Sequence, residues 1–155
     1  MKKILLMLFV ALGTLATQAQ EIKWMSLDEA LAAQEKEAKP IFMDVYTDWC
    51  GPCKILDRGT FRDKNIVDYI NANYYAVKFD AEGASEVAYK GNKYSNPNYI
   101  INKKGRNSVH DFTRFMKVRA YPTIVFFDDK GNLKYLLEGP RDAIQLMKVL
   151  EKFQS

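Results

Sequence analysis

At 155 residues the chain has room for one domain with a substantial core. Its composition, 48% hydrophobic and 27% charged, is ordinary for a globular protein. The formal charge of +4 includes Lys2 and Lys3; 23 basic residues less these two leave 21 against 19 acidic ones, about +2, which is no nucleic-acid footprint.

The N-terminus reads as an export signal, with Lys2-Lys3 as the charged start, Ile4 to Ala16 as the apolar core and Thr17-Gln18-Ala19 as a small-residue cleavage site. Residues 1–19 are therefore expected to be a signal peptide and residues 20–155 the domain. The apolar run is short for a membrane span, and no cysteine is present there to carry a lipid. An uncleaved anchor is the alternative; once processed, the chain is expected to have no stable membrane insertion and to work in the periplasm or another exported location.

Ile22 to Trp24 reads as a short strand. Ser26-Leu27-Asp28-Glu29 has capping-box spacing and predicts a helix to about Lys39, stopped by Pro40. Ile41 to Tyr46 is apolar on both alternating faces except at Asp44, the pattern of a central strand covered on each side. A helix is expected from near Cys50 to about Arg58, and another from Asp63 to Ala72. Tyr74 to Asp80 reads as the next strand. Ala81 to Asn107 forms a connection of about 27 residues where a short one is usual. Its tyrosines, Tyr89, Tyr94 and Tyr99, either line a partner groove or pack a flap over the sheet edge. Phe112 to Val118 predicts a helix, and Thr123–Asp128 with Leu133–Glu138 flank Asp129-Lys130-Gly131-Asn132 as a hairpin. Pro140 is expected to open a last helix with Ile144, Met147, Leu150 and Phe153 on one face. This order gives an α/β fold with a central mixed sheet flanked by helices.

Both cysteines of the chain lie in Trp49-Cys50-Gly51-Pro52-Cys53-Lys54, at a strand-to-helix junction. Disulfide exchange needs an accessible thiolate and a second thiol near enough to resolve the mixed disulfide. The first sulfur would lie at a helix N-terminus, where free N–H groups and the dipole favour negative charge. Pro52 suits the first turn. Outside the cytosol cysteines often staple folds, but a bridge across two residues constrains the unfolded chain little, so redox work is the better reading. An inert bond or two buried thiols is the bland alternative. One histidine and two cysteines are too few for a closed zinc site, so no metal is expected.

The WCGPCK run after an apolar strand resembles the active site of thioredoxin, which also serves as a standard case of Cys-X-X-Cys chemistry. The run Asp44 to Cys53, followed by Thr60-Phe61-Arg62-Asp63, is similar to the thioredoxin-like domain of the membrane thiol-disulfide interchange protein. Tyr121-Pro122-Thr123, far downstream, matches the place where that family carries a cis-proline facing the cysteines. The resemblance covers roughly Pro40 to Phe153 apart from the 81–107 insertion. It implies a thioredoxin-like fold.

Cys50 is the expected nucleophile and Cys53 the less exposed resolving thiol. Burial would raise the pKa of Asp44 and let it take the proton of Cys53; a solvated aspartate is the alternative. The resemblance places the family's buried aspartate at Asp44 and a neighbouring lysine at Lys78, which either pairs with it or snorkels from an edge strand. It further implies that the backbone of Tyr121, before Pro122, bonds an extended substrate; an ordinary trans-proline is the alternative. Trp49 is either an apolar shelf beside the sulfurs or core packing, and Trp49, Gly51 and Pro52 belong to the expected substrate surface. Asp48, Lys54 and His110 read as surface residues.

The expected activity is that of an exported thiol-disulfide oxidoreductase acting mainly as a reductase of protein disulfides, since Gly-Pro between the cysteines resembles the reducing members. The resemblance implies a transmembrane electron donor and no bound cofactor. A disulfide oxidase or isomerase is one rival, and a binding or chaperone module on a thioredoxin scaffold is another.

Overall fold

A computed structural model describes residues 20–154. The expected signal peptide lies outside the described residues, and among those described no helix is long and apolar enough to cross a membrane.

The chain begins with a short strand β1 (Trp24–Met25) and helix α1 (Leu27–Gln34), capped by a full capping box in which Ser26 and Glu29 exchange hydrogen bonds. α1 stops five residues earlier than its sequence suggests. Beyond Ala33 the run to Lys39 is polar except for Ala38, which is exposed, and the Gln34 amide donates to the carbonyls of Lys39 and Asp128. Strand β2 (Ile41–Tyr46) follows, then helix α2 (Gly51–Arg58), a 3₁₀ turn (Thr60–Arg62) and helix α3 (Lys64–Asn73), whose N-terminus Asp63 caps.

Strand β3 (Tyr75–Asp80) leads into the 81–107 stretch, which contains a small hairpin of β4 (Val87–Tyr89) and β5 (Asn92–Tyr94). Helix α4 (Asp111–Phe115) is shorter than expected; Lys117, at φ 60, turns the chain out of the helix. Strands β6 (Thr123–Phe127) and β7 (Leu133–Glu138) form the expected hairpin. The last helix, α5 (Ala143–Gln154), starts after Pro140, because its cap is Asp142, whose carboxylate accepts from Gln145 N–H at 2.8 Å.

The main sheet has the order β1-β3-β2-β6-β7, with β2 parallel to β3 and antiparallel to β6. Its α/β arrangement with a central mixed sheet is the one expected. Strand β2 is central because both its faces are apolar. Ile41, Met43 and Val45 face a core shared with α1 and α4, whereas Phe42 faces the core of α3 and α5. The hairpin is part of the first core. Tyr89 and Tyr94 pack edge-on against the fully buried Phe112, and the Tyr89 hydroxyl donates to Gly131 C=O at 2.8 Å. Two of the three tyrosines thus cover a sheet face, and Tyr99 remains exposed.

Two further expectations are corrected. Ile144 is 71% exposed; Leu146 fills the core beside the expected Leu150, with Met147 and Phe153 packed against it, so the buried face of α5 is rotated away from Ile144 toward Leu146. His110 is fully buried. Its Nδ1 accepts from Phe112 N–H at 3.0 Å and its Nε2 reaches Ser85 C=O at 2.6 Å, so it caps α4 and closes the 81–107 stretch.

Candidate active site

Because β6 runs antiparallel to β2, the C-terminal end of β2 lies beside the N-terminal end of β6, with Val45 opposite Thr123. The cysteine loop leaves the first and Tyr121-Pro122 enters the second, so two segments seventy residues apart meet at one end of the sheet. Their contact is direct. The rings of Trp49 and Tyr121 meet edge to face with centroids 5.9 Å apart. The Tyr121–Pro122 peptide is cis, and Pro122 is buried, its carbonyl accepting from Gly139 N–H at 2.8 Å.

Cys50 is the N-cap of α2, its N–H donating to Thr47 C=O at 3.1 Å. Its sulfur accepts from Cys53 N–H at 3.2 Å, so one otherwise unpartnered donor of the helix start points at it. Cys50 and Cys53 are joined as a disulfide, with Cα atoms 5.4 Å apart. Each residue is 2% exposed, so accessibility does not rank them as the sequence suggests; in the bonded pair the Cys50 sulfur is turned inward to the helix start. Position separates them instead. Cys50 lies at the helix start with the Cys53 N–H on its sulfur, whereas Cys53 lies within the first turn of α2. Gly51 and Pro52 are exposed, and a Cβ at Gly51 would meet nothing within 4 Å, which leaves open space over this turn.

On β2, in the strand that leads to the cysteine loop, lies Asp44, 1% exposed. Its register neighbour on β3 is Lys78, whose ammonium donates to Oδ2 at 2.6 Å. Burial pushes the Asp44 carboxyl above the ordinary carboxylate range, and the Lys78 charge pulls back against it. Oδ1 is buried with no hydrogen-bond partner among the described residues, as is Thr47 Oγ1. Lys78 does not snorkel to water. It is 21% exposed, its ammonium is also bonded to the Asp57 carboxylate, and it lies over the rings of Tyr46, Trp24 and Phe61 at 4.9, 5.0 and 5.4 Å.

The expected site residues do not include Asp57, Thr47, Glu82 or Arg106, which the structure adds around Lys78 and Trp49 or beside the cysteine loop. For Asp57 a signal existed: it follows Cys53 by four residues, on the same face of α2. For Glu82 and Arg106 there was none, since each reaches the site from the 81–107 stretch. Glu82 Oε2 accepts from Trp49 Nε1–H at 2.9 Å, and the Arg106 guanidinium lies over the Trp49 ring at 4.3 Å. Trp49 is therefore a half-buried surface clamped between two loops. Asp48 and Lys54 are exposed, as expected.

The sequence matches the thioredoxin-like domain family over residues 27–154. A solved structure of a candidate disulphide-isomerase from Bacteroides thetaiotaomicron superposes with a TM-score of 0.61 at 32% identity, covering 86% of this chain and 93% of that one. The chloroplastic thioredoxin Y of Oryza sativa subsp. japonica is 31% identical over 94 residues, covering 61% of this chain and 52% of that protein. The thiol:disulfide interchange protein DsbD of Citrobacter koseri is 29% identical over 108 residues, 69% of this chain but 15% of that protein. The chain thus spans about half the length of the rice relative and a small part of the interchange protein. With its cysteine pair on the α2 start beside the Tyr121-Pro122 bend, the chain belongs to the thioredoxin-like domain family.

Proposed function

We propose that the protein is an exported reductase of protein disulfides, working by dithiol–disulfide exchange at Cys50 and Cys53. The observation that carries this reading is the Cys50–Cys53 disulfide at the start of α2, just beyond the strand that buries the Asp44 carboxylate. Cys50 Sγ accepts the Cys53 N–H, and Asp44 keeps one oxygen without a partner among the described residues. In the reduced protein the Cys50 thiolate attacks one sulfur of the substrate disulfide. A bond forms between Cys50 and that sulfur, and the other substrate sulfur leaves as a thiolate that takes up a proton. Cys53 then loses its proton to Asp44, directly or through a water, and attacks Cys50 Sγ. The second substrate thiol is released and the Cys50–Cys53 disulfide forms. Two electrons have passed to the substrate.

Asp44 suits that task because burial raises its proton affinity, while Lys78 and Asp57 keep the charge balanced when the proton moves on. The exposed Gly51–Pro52 turn, the Trp49 ring and the Tyr121 backbone before Pro122 form the surface on which an extended substrate strand lies. Residues 1–19 act as the signal peptide, and residues 20–155 as the exported domain. No cofactor is used; a membrane dithiol protein reduces the Cys50–Cys53 bond for the next turnover, as the likeness to the interchange protein suggests.

Replacing Cys53 with serine tests this. Mixed disulfides with exported proteins are expected on Cys50 and are expected to vanish in Cys50→Ser; no trapped protein in Cys53→Ser would overturn the reading. The likeness to the candidate disulphide-isomerase favours a second direction, disulfide oxidation or isomerisation. Equilibration with a glutathione series separates the two, a potential close to that of strong oxidants favouring the second.

A further inference from the structure

The stretch between β5 and α4 is anchored to the site in a way the exchange chemistry does not require. A single oxygen, Glu82 Oε2, accepts both from Trp49 Nε1–H at 2.9 Å and from the backbone N–H of Asn107 at 2.6 Å. The Asn107 side chain closes the loop, its Oδ1 accepting from Ile100 N–H at 3.0 Å and its Nδ2 donating to Ile100 C=O at 2.9 Å. Below it, the buried Asn96 amide donates to the carbonyls of Glu82, Gly83 and Ser108. The base of the loop is thus fixed to Trp49, and its Tyr99 and Lys103 line a cleft with Trp49 and Asp48.

What the tip presents is unusual for a surface loop. Tyr99, Ile100 and Ile101 are all exposed, Ile101 at 76%. Lys103, Lys104 and Arg106 are exposed too, and none of them forms an ion pair among the described residues. Asp48, Asp80 and Glu82 line the cleft beneath the loop together with Lys103; Lys104 and Arg106 do not belong to that lining. Arg106 lies over the Trp49 ring, and Trp49 contacts Tyr121, so an unpaired guanidinium borders the path a substrate strand takes past the sulfurs.

We propose that residues 99–106 are a docking arm for polypeptide substrates that carry carboxylate side chains close to the target disulfide, with Arg106 and Lys104 reading the charge and Ile100 and Ile101 gripping apolar residues further along. Two observations argue for this occupant. The unpaired cations call for an anionic partner, and the arm is continuous with the Trp49–Tyr121 surface through Glu82. An apolar tip with lysines also suits an anionic lipid surface, but a cation clamped on Trp49 beside the disulfide has no use there. The proposal takes its substrate class from the reductase reading above.

The test uses two synthetic peptides, identical except for glutamates or lysines flanking an intramolecular disulfide. The reduced full chain is assayed for kcat/KM on both. In parallel, fluorescence anisotropy follows serine-substituted versions of the peptides binding to the Cys50→Ser, Cys53→Ser protein. With exposed pairs worth little each, the glutamate peptide is expected to be favoured about tenfold at low salt, and less than about twofold at 0.5 M salt. Joint replacement Lys104→Gln and Arg106→Gln is expected to bring the ratio to about one. Equal treatment of the two peptides by the wild type, or a preference that survives the double replacement, overturns the proposal. So does binding to phosphatidylglycerol-containing vesicles without peptide preference. Loss of turnover on both peptides with the anisotropy preference intact supports the arm and overturns the reductase reading instead.

Discussion

Replacing Lys78 with methionine isolates the charge that faces Asp44. Methionine keeps an unbranched stem against Trp24, Tyr46 and Phe61 but removes the ammonium that contacts Asp44 at 2.6 Å. Two unit charges about 4 Å apart attract by about 4 kcal/mol at the effective dielectric of partly buried sites. Asp44 has an escape, however, because it can bind a proton rather than remain an unpaired anion. Its carboxyl is already raised above 3.8 by burial in the wild type, and loss of the opposing lysine raises it further. A carboxyl with a raised folded pKa holds its proton more tightly in the fold than in the unfolded chain. Stability from this group is therefore fully present below the unfolded value and declines as pH rises toward the folded one. The variant should match the wild type near pH 4, apart from a constant loss of about 0.5–1 kcal/mol in contacts between the cation and the rings. Above the wild-type Asp44 pKa the gap should widen by up to about 1.4 kcal/mol per pH unit, with about 4 kcal/mol as its limit. The exposed Asp57 contact adds only about 0.2–1 kcal/mol. Urea unfolding of both disulfide-bonded proteins from about pH 4 to about pH 8 reads this directly. The same deficit at both ends would mean that packing alone was lost, and would refute the Asp44–Lys78 coupling.

Three further outcomes are expected. In the reduced protein near neutral pH, iodoacetamide should label Cys50 about tenfold or more faster than Cys53, because the helix start favours its thiolate; equal rates would remove the nucleophile assignment. Glu82→Ala strips the acceptor from Trp49 and Asn107 and should cost about 1–3 kcal/mol, with trypsin cutting faster after Lys103, Lys104 and Arg106; an unchanged digestion pattern would show that the loop is not held from Glu82. Leu146→Ala should cost about 2–5 kcal/mol in thermal or chemical unfolding, and Ile144→Ala under about 0.5 kcal/mol; comparable losses would contradict the rotated face of α5.

Much of the fold was legible because its signals are local or periodic. The Ser26–Glu29 capping box, the two-faced apolar run of β2 and the Asp129–Asn132 hairpin turn each depend on a few neighbouring residues, and each lies where expected. The errors fall where a residue's surroundings come from elsewhere. His110 read as a surface residue because its partners, Ser85 C=O and the ring of Phe79, belong to other segments. In α5 the helical period admitted more than one apolar stripe, and only the packing against α3 and the sheet selected Leu146 over Ile144.

By itself, the order of amino acids determined the chemistry available at the site: two thiols one helical turn apart at a helix start, a carboxylate embedded in an apolar strand, and a proline to open the facing strand. The tertiary structure alone decided how those groups are biased. The parallel register of β2 and β3 sets Lys78 against Asp44, Asp57 closes that pair from α2, and two loops of the 81–107 stretch place Glu82 and Arg106 on Trp49. The reason is physical. Helix starts, turns and strand periodicity follow from the short-range sterics and hydrogen bonds of adjacent residues, whereas the field acting on a buried carboxylate or a shelf residue is the sum over whatever the completed chain packs against it.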